Sequence, residues 1–215
     1  MRRLVVLLAI SGAACTSSAF AATLGIASWH LWTGSQTLTK SSCTLTGTSV
    51  TTDTYADEAH AGDNSSANTM KVAPGAGSQQ WTFVRFDLSS CNIPSTGGAD
   101  TATLSLRITN APSTDRTLTV TPVLSTWTGA SLANFSGATS LTYGSATTTF
   151  TTGTSNNVTK SFPVTIDVDA LIKSSTANYG WRITDGGSGT ATTTIGSANN
   201  ATAANRPQLQ ISYEN

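Results

Sequence analysis

Residues 101–109, TATLSLRIT, alternate without a break. Ala102, Leu104, Leu106 and Ile108 occupy one phase, and Thr103, Ser105, Arg107 and Thr109 the other. Successive side chains of a strand point to opposite sides, so a two-residue period marks an extended segment with one buried and one wet face. A helix would need apolar residues three and four apart. The same period recurs along the chain. Val84, Phe86 and Leu88 form an inward set against Phe83, Arg85 and Asp87. Leu118 and Val120 do so in RTLTVTPV, and Phe162, Val164, Ile166 and Val168 in KSFPVTIDV. GWRIT (180–184) and PQLQISY (207–213) are two further runs of this kind.

Gly, Pro, Asn and Asp separate these runs, and many short strands joined by turns imply an all-β antiparallel sandwich or barrel with little or no helix. One stretch, DVDALIKSS (167–175), carries a helical signal, with Asp169 as the expected cap of a single turn. The polar segment 136–157 reads as a long loop or a loose hairpin. No self-similarity at a fixed period of a solenoid or propeller is present.

Serine and threonine make up about a third of the chain. Disorder is one reading of such a composition, but hydrophobic residues reach 38% and follow the strand period, so threonine here suits the solvated side of a sheet. The first residues, MRRLVVLLAISGAACTSSAFAA, run from positive through apolar to an Ala-x-Ala site at Ala19–Ala21. That order is a secretory signal peptide over residues 1–21, too short in its apolar run to anchor in a bilayer. Lipidation at Cys15 in SGAAC is the weaker alternative. Loss of Arg2 and Arg3 leaves nine basic against eleven acidic residues, a net charge of −2. Nucleic-acid binding, which calls for a basic face, is excluded on that ground. No second apolar stretch is long enough for a membrane span. Cys43 and Cys91 then remain in an exported chain, and a disulfide between them is expected.

Seven motifs follow in order: DTYADEAHAGDNSSANTMKVAPG, FVRFDLSSCNIP, ADTATLSLRITNA, TLTVTPVLSTWT, IDVDALI, NYGWRIT and NRPQLQISY. Together they resemble the DNRLRE family, the disaggregatase-related domain of extracellular bacterial and archaeal proteins, over about Asp53 to Tyr213. The resemblance implies a jelly-roll sandwich similar to carbohydrate-binding modules. Some members accompany polysaccharide lyases and bind alginate-like acidic glycans; others sit in surface and spore proteins. It also places Trp127 and Trp181 in the core. The chain departs from the family at Gly129, where an acidic residue usually follows STWT, and at Ser197-Ala198-Asn199, where the family has Ser-x-Glu. The division expected is a signal peptide (1–21), an N-terminal leader (22–52) and the sandwich domain (53–215).

Catalysis finds little support. His30 and His60 are the two histidines, and no G-x-S-x-G elbow is present. Asp53, Asp57, Glu58, Asp63 and Asn64 crowd one stretch, and Asp167 and Asp169 another. They are candidate calcium ligands, Asp53, Asp57 and Asp63 above all, against the alternative of capped turns. Acidic glycans are gripped by Lys and Arg, the latter able to fork onto a carboxylate. Lys71, Arg85, Arg107 and Arg182 all fall on outward phases, and shared sheet membership would align them as a basic stripe; cross-strand pairing with neighbouring charges is the alternative. Trp81 is a candidate sugar platform, while Trp29 and Trp32 lie in the leader. The expectation is an exported, non-catalytic domain that binds an extracellular polysaccharide. The alternative is a surface, matrix or filament subunit that self-assembles through its leader.

Overall fold

Two antiparallel sheets face each other, as the alternation implies. The structure, a computed structural model, describes residues 39–94 and 97–214. The expected signal peptide, Cys15, Trp29, His30 and Trp32 lie outside the described residues.

Strands β1 (Lys40–Thr46), β3 (Thr69–Val72), β5 (Ala99–Asn110), β8 (Val158–Pro163), β10 (Thr193–Gly196) and β11 (Gln208–Glu214) form a six-stranded sheet. Its centre is β5. Thr103 of β5 pairs Gln210 on one side and Pro163 on the other, and Ile108 pairs Ile195 and Val158. One edge of β5 therefore carries β11 and then β10, and its other edge carries β8. The second sheet has the order β2 (Thr51–Asp57), β4 (Gln80–Phe86), β9 (Trp181–Asp185), β6 (Thr117–Pro122) and β7 (Thr148–Thr151).

The inward phases meet between the sheets. Leu104, Leu106, Leu209 and Ile211 face Val84, Phe86, Trp181 and Ile183, all fully buried. Each such side chain contributes on the order of 1.5–3 kcal/mol relative to exposure. Cys43 of β1 and Cys91, in the single turn Leu88–Cys91 that follows β4, form the expected disulfide, with Cα atoms 5.5 Å apart. It closes a separation of 48 residues, for which loop-closure entropy gives about 4 kcal/mol.

Four expectations need correction. KSFPVTIDV is not one strand. β8 ends at Pro163, and α2 (Thr165–Ile172) follows. Val164 and Val168, four residues apart, are buried on the helix's inner face, and Ile172 packs beside them. Ile166, assigned inward by the two-residue period, is 84% exposed. Within these nine residues the two periods share members, so alternation alone chose the wrong one. Asp169 does not cap this helix. It lies inside it, accepting hydrogen bonds from the Ala99 amide and from Lys173. Segment 136–157 holds most of a short helix, α1 (Phe135–Thr139), and all of β7, which pairs with β6. Finally, strand structure begins ahead of residue 53. β1 pairs β11 along its whole length, and β2 starts at Thr51, so residues 40–52 of the expected leader belong to the sandwich.

Candidate functional site

The four outward cations divide between the two sheets, so they form no single stripe. Arg85 and Arg182 lie on the five-stranded sheet, where Arg182 is the cross-strand partner of Phe83. Arg107 and Lys71 lie on the six-stranded sheet, on β5 and β3.

The outward side of β2, β4 and β9 is not solvent-facing throughout. The chain from Val123 to Tyr143 folds over it and builds a second, smaller core from Ala56, Phe83, Val123, Trp127, Leu132 and Ala138. Phe83, on the outward phase, is 0% exposed. Trp127 packs 5.7 Å from the Phe83 ring and donates its indole N–H to the Tyr179 carbonyl. The segment is tied down by the Val123↔Tyr143 bridge and by the Tyr143 hydroxyl, which donates to the Ala138 carbonyl. Gly180 makes the close approach of β9 to β4 feasible. It has φ +71°, and a Cβ there would collide with the Val84 carbonyl and the Arg85 backbone.

The two arginines of this face are held by rings. Arg182 lies 3.6 Å from the Tyr143 ring centroid and 4.6 Å from that of Trp81. Burial lowers its pKa and raises that of Tyr143. Arg85 sits 5.2 Å from the Trp127 centroid. Trp81, the candidate platform, is half-buried, with Phe135 at 4.7 Å and Tyr143 at 6.4 Å. Its ring faces are thus engaged by the chain itself. Asp87 does not pair with Arg85. It accepts from the Ser89 amide, a bond that pulls its pKa below the usual carboxylate range.

Among the described residues no such segment seals the outward side of the six-stranded sheet. Thr44, Thr46, Gln208, Gln210, Thr103, Ser105, Thr159 and Ser161 form its rows across β1, β11, β5 and β8. An open groove of about 340 Å³ crosses it, walled by Thr46, Ser105, Arg107, Thr159, Arg206 and Gln208. Arg107 donates one hydrogen bond to the Thr159 hydroxyl at 3.1 Å, and Arg206 one to the Asn200 carbonyl at 2.8 Å. The ion pairs among the described residues join Asp side chains to Lys40, His60, Arg116 and Lys173. Neither groove arginine is among them, so most of their N–H donors are open to a ligand. Lys71 lies on the same sheet, with its ammonium 5.6 Å from the Tyr55 ring centroid.

Arg206 escaped the sequence reading because it precedes its strand and belongs to no period. A loop delivers it. Asp53 accepts from the Ala198 amide at 2.6 Å, Ser197 donates to the Ala67 carbonyl, and Asn199 donates to the Ser65 carbonyl. Burial pushes the Asp53 carboxyl up to about 6, partly offset by the Ala198 amide. These bonds occupy Ser197-Ala198-Asn199, one point of departure from the resembled family. At the other, Gly129, a side chain would collide with Asp63 and Ser65.

The candidate calcium ligands do not gather. Among the described residues no three His, Cys, Asp or Glu side chains come together in a metal-binding group. Asp57 accepts from the amides of Ala59 and His60 and from Gln80, and Asp63 from the amide of Ser65. These are turn and strand-end contacts. Asp167 accepts from the Trp181 indole and the Thr147 hydroxyl. His60 is exposed and lies 3.5 Å from Asp57. Among the described residues no helix is long and apolar enough to cross a membrane.

No curated protein matches the chain in sequence. The family model of carbohydrate-binding module family 96 matches residues 44–213, which takes in both sheets from within β1 to Tyr213 of β11. With most of its length so matched, the chain belongs to carbohydrate-binding module family 96.

Proposed function

We propose that this chain is an exported, non-catalytic domain that binds an extracellular acidic polysaccharide along the outward face of its six-stranded sheet. The observation that carries this reading is the groove in which Arg107 and Arg206 stand together without a carboxylate partner. A guanidinium meets a carboxylate through two parallel N–H···O bonds, so a pair of free guanidinium groups favours a polymer bearing uronate-type carboxylates. Thr46, Ser105, Thr159 and Gln208 add hydroxyl and amide groups suited to the sugar hydroxyls between them. Lys71 supplies a further cation on the same sheet. Membership of a binding-module family supports the absence of catalysis, and the resemblance to DNRLRE domains supports an acidic ligand. The disulfide and the signal-like first 21 residues fit an oxidising, extracellular setting.

Affinity electrophoresis in gels containing alginate or pectin tests this. The wild-type chain should be retarded, and the retardation should weaken with added salt, because exposed charge contacts are screened. Arg107→Ala with Arg206→Ala should reduce the affinity at least tenfold, about 1.4 kcal/mol. Full retention by the double variant, or no retention of the wild type on either acidic polymer, would overturn the reading.

A further inference from the structure

A second groove lies on the other side of the turn that joins β1 to β2. Thr46 lines the groove already described; Ser49, Thr51, Thr52, Arg85, Asp87 and Asn178 line this one, with a volume of about 370 Å³. The two share no lining residue.

Its chemistry differs. The Arg85 side chain makes no hydrogen bond and no ion pair among the described residues; its guanidinium rests against the Trp127 ring and lines the groove with its donors unspent. Asp87 stands two residues further on the same outward phase and lines the same groove. Asn178 donates its amide N–H to the Phe86 carbonyl at 2.7 Å, which turns its Oδ1 away from that bond, and this oxygen has no partner. Ser49, Thr52 and Asn178 line the groove beside this unspent guanidinium, so its wall offers hydroxyl and amide groups suited to a hydrogen-bonding ligand.

The formal charges of Arg85 and Asp87 cancel, whereas Arg107 and Arg206 sum to +2 across the turn. A carboxylated sugar gains at Arg85 what it loses at Asp87. An uncharged sugar has no such conflict. Adjacent hydroxyls accept from a guanidinium through one oxygen and donate to a carboxylate or amide oxygen through the next. The ring of Trp127 holds Arg85 in place before the ligand arrives, which lowers the ordering cost of binding.

We infer that the Arg85–Asp87–Asn178 groove is a second carbohydrate site, selective for uncharged sugar units. The domain then has two grooves of different charge on either side of one turn. This goes beyond the acidic-polymer reading and does not depend on it.

The test is affinity electrophoresis of the purified chain in galactomannan, xylan and hydroxyethylcellulose, with alginate alongside. At least one neutral polymer should retard the wild type. Arg85→Ala should weaken that retention about tenfold, the loss of one or two hydrogen bonds to a charged donor. Thr52→Trp, at an exposed position, should do the same by filling the groove without removing an internal contact. Neither change should alter retention on alginate. Arg107→Ala with Arg206→Ala should leave the neutral retention intact. The inference is overturned if no neutral polymer retards the wild type, or if Thr52→Trp binds the neutral polymer as the wild type does. Joint loss of neutral and alginate retention in Thr52→Trp, with an unchanged melting temperature, would make the grooves one site and overturn the claim of a second.

Discussion

The outward side of the five-stranded sheet and that of the six-stranded sheet begin from the same alternating pattern and end as different surfaces. On the first, the chain from Val123 to Tyr143 lies over β2, β4 and β9 and seals Phe83 and Trp127 in a second core. On the second, β5 and β11 present Thr, Ser, Gln and Arg to an open groove, and no described segment seals them as Val123 to Tyr143 does. Cations on the two sides accordingly have different lives. Arg182 is wedged against the rings of Trp81 and Tyr143, while Arg107 spends one donor on Thr159 and lines an open groove. The outward phase of a strand thus says which side a residue leaves from, and the chain that passes over that side decides whether it meets water.

The sharpest break of this contrast is Trp127→Ala. Trp127 is 1% exposed and contacts Phe83, Arg85 and the Tyr179 carbonyl. Its removal should cost about 3–5 kcal/mol in denaturant unfolding, as for other large-to-small changes in a packed core. A cost below about 1 kcal/mol would mean that the covering segment is a loosely held loop, and the difference between the faces would collapse.

A smaller effect joins the two sheets. Asp53 stands on β2 of one sheet and holds, through the Ala198 amide, the loop that brings Arg206 to the other. Its folded value of about 6 lies above the ordinary 3.8, so the fold favours the neutral acid. The stability from this group is whole below about pH 4 and is lost as pH rises through about 6, an amount on the order of 2–3 kcal/mol. Wild-type unfolding free energy, compared with that of Asp53→Asn, should therefore fall across this window. A parallel pH dependence for the two proteins would show that Asp53 is not desolvated and that the loop is held by its other bonds.

The smallest expected effect is the control. Thr44→Val on the outward face of the six-stranded sheet keeps the β-branched shape and removes an exposed hydroxyl that has no hydrogen bond among the described residues. The unfolding free energy should change by no more than about 0.5 kcal/mol. A larger loss would reveal a partner on a face that is otherwise open.

Much of this arrangement was legible beforehand, and the exceptions have a physical pattern. Alternation placed Val84, Phe86, Leu104, Leu106, Leu118 and Val120 inside. It failed at Ile166, because Val164 and Val168 satisfy the strand period and the helix period alike. Arg206 and Asn178 lie in connections without a period, and neither groove was visible without the loops that bring these residues to it.

Taken alone, the sequence determined that the chain is a β-sandwich, which side of most strands is apolar, and that Cys43 and Cys91 are the pair to join. These are local properties or matters of composition: a strand's two faces are set by its own alternation, and with Cys15 inside the expected signal peptide two cysteines have one pairing. The tertiary structure alone decided that Arg85 shares a sheet with Arg182 and not with Arg107, that one outward face is covered, and that Arg206 joins Arg107. Those outcomes depend on pairings between strands far apart in the chain and on the path of its loops. Side-chain alternation within a strand carries no information about either.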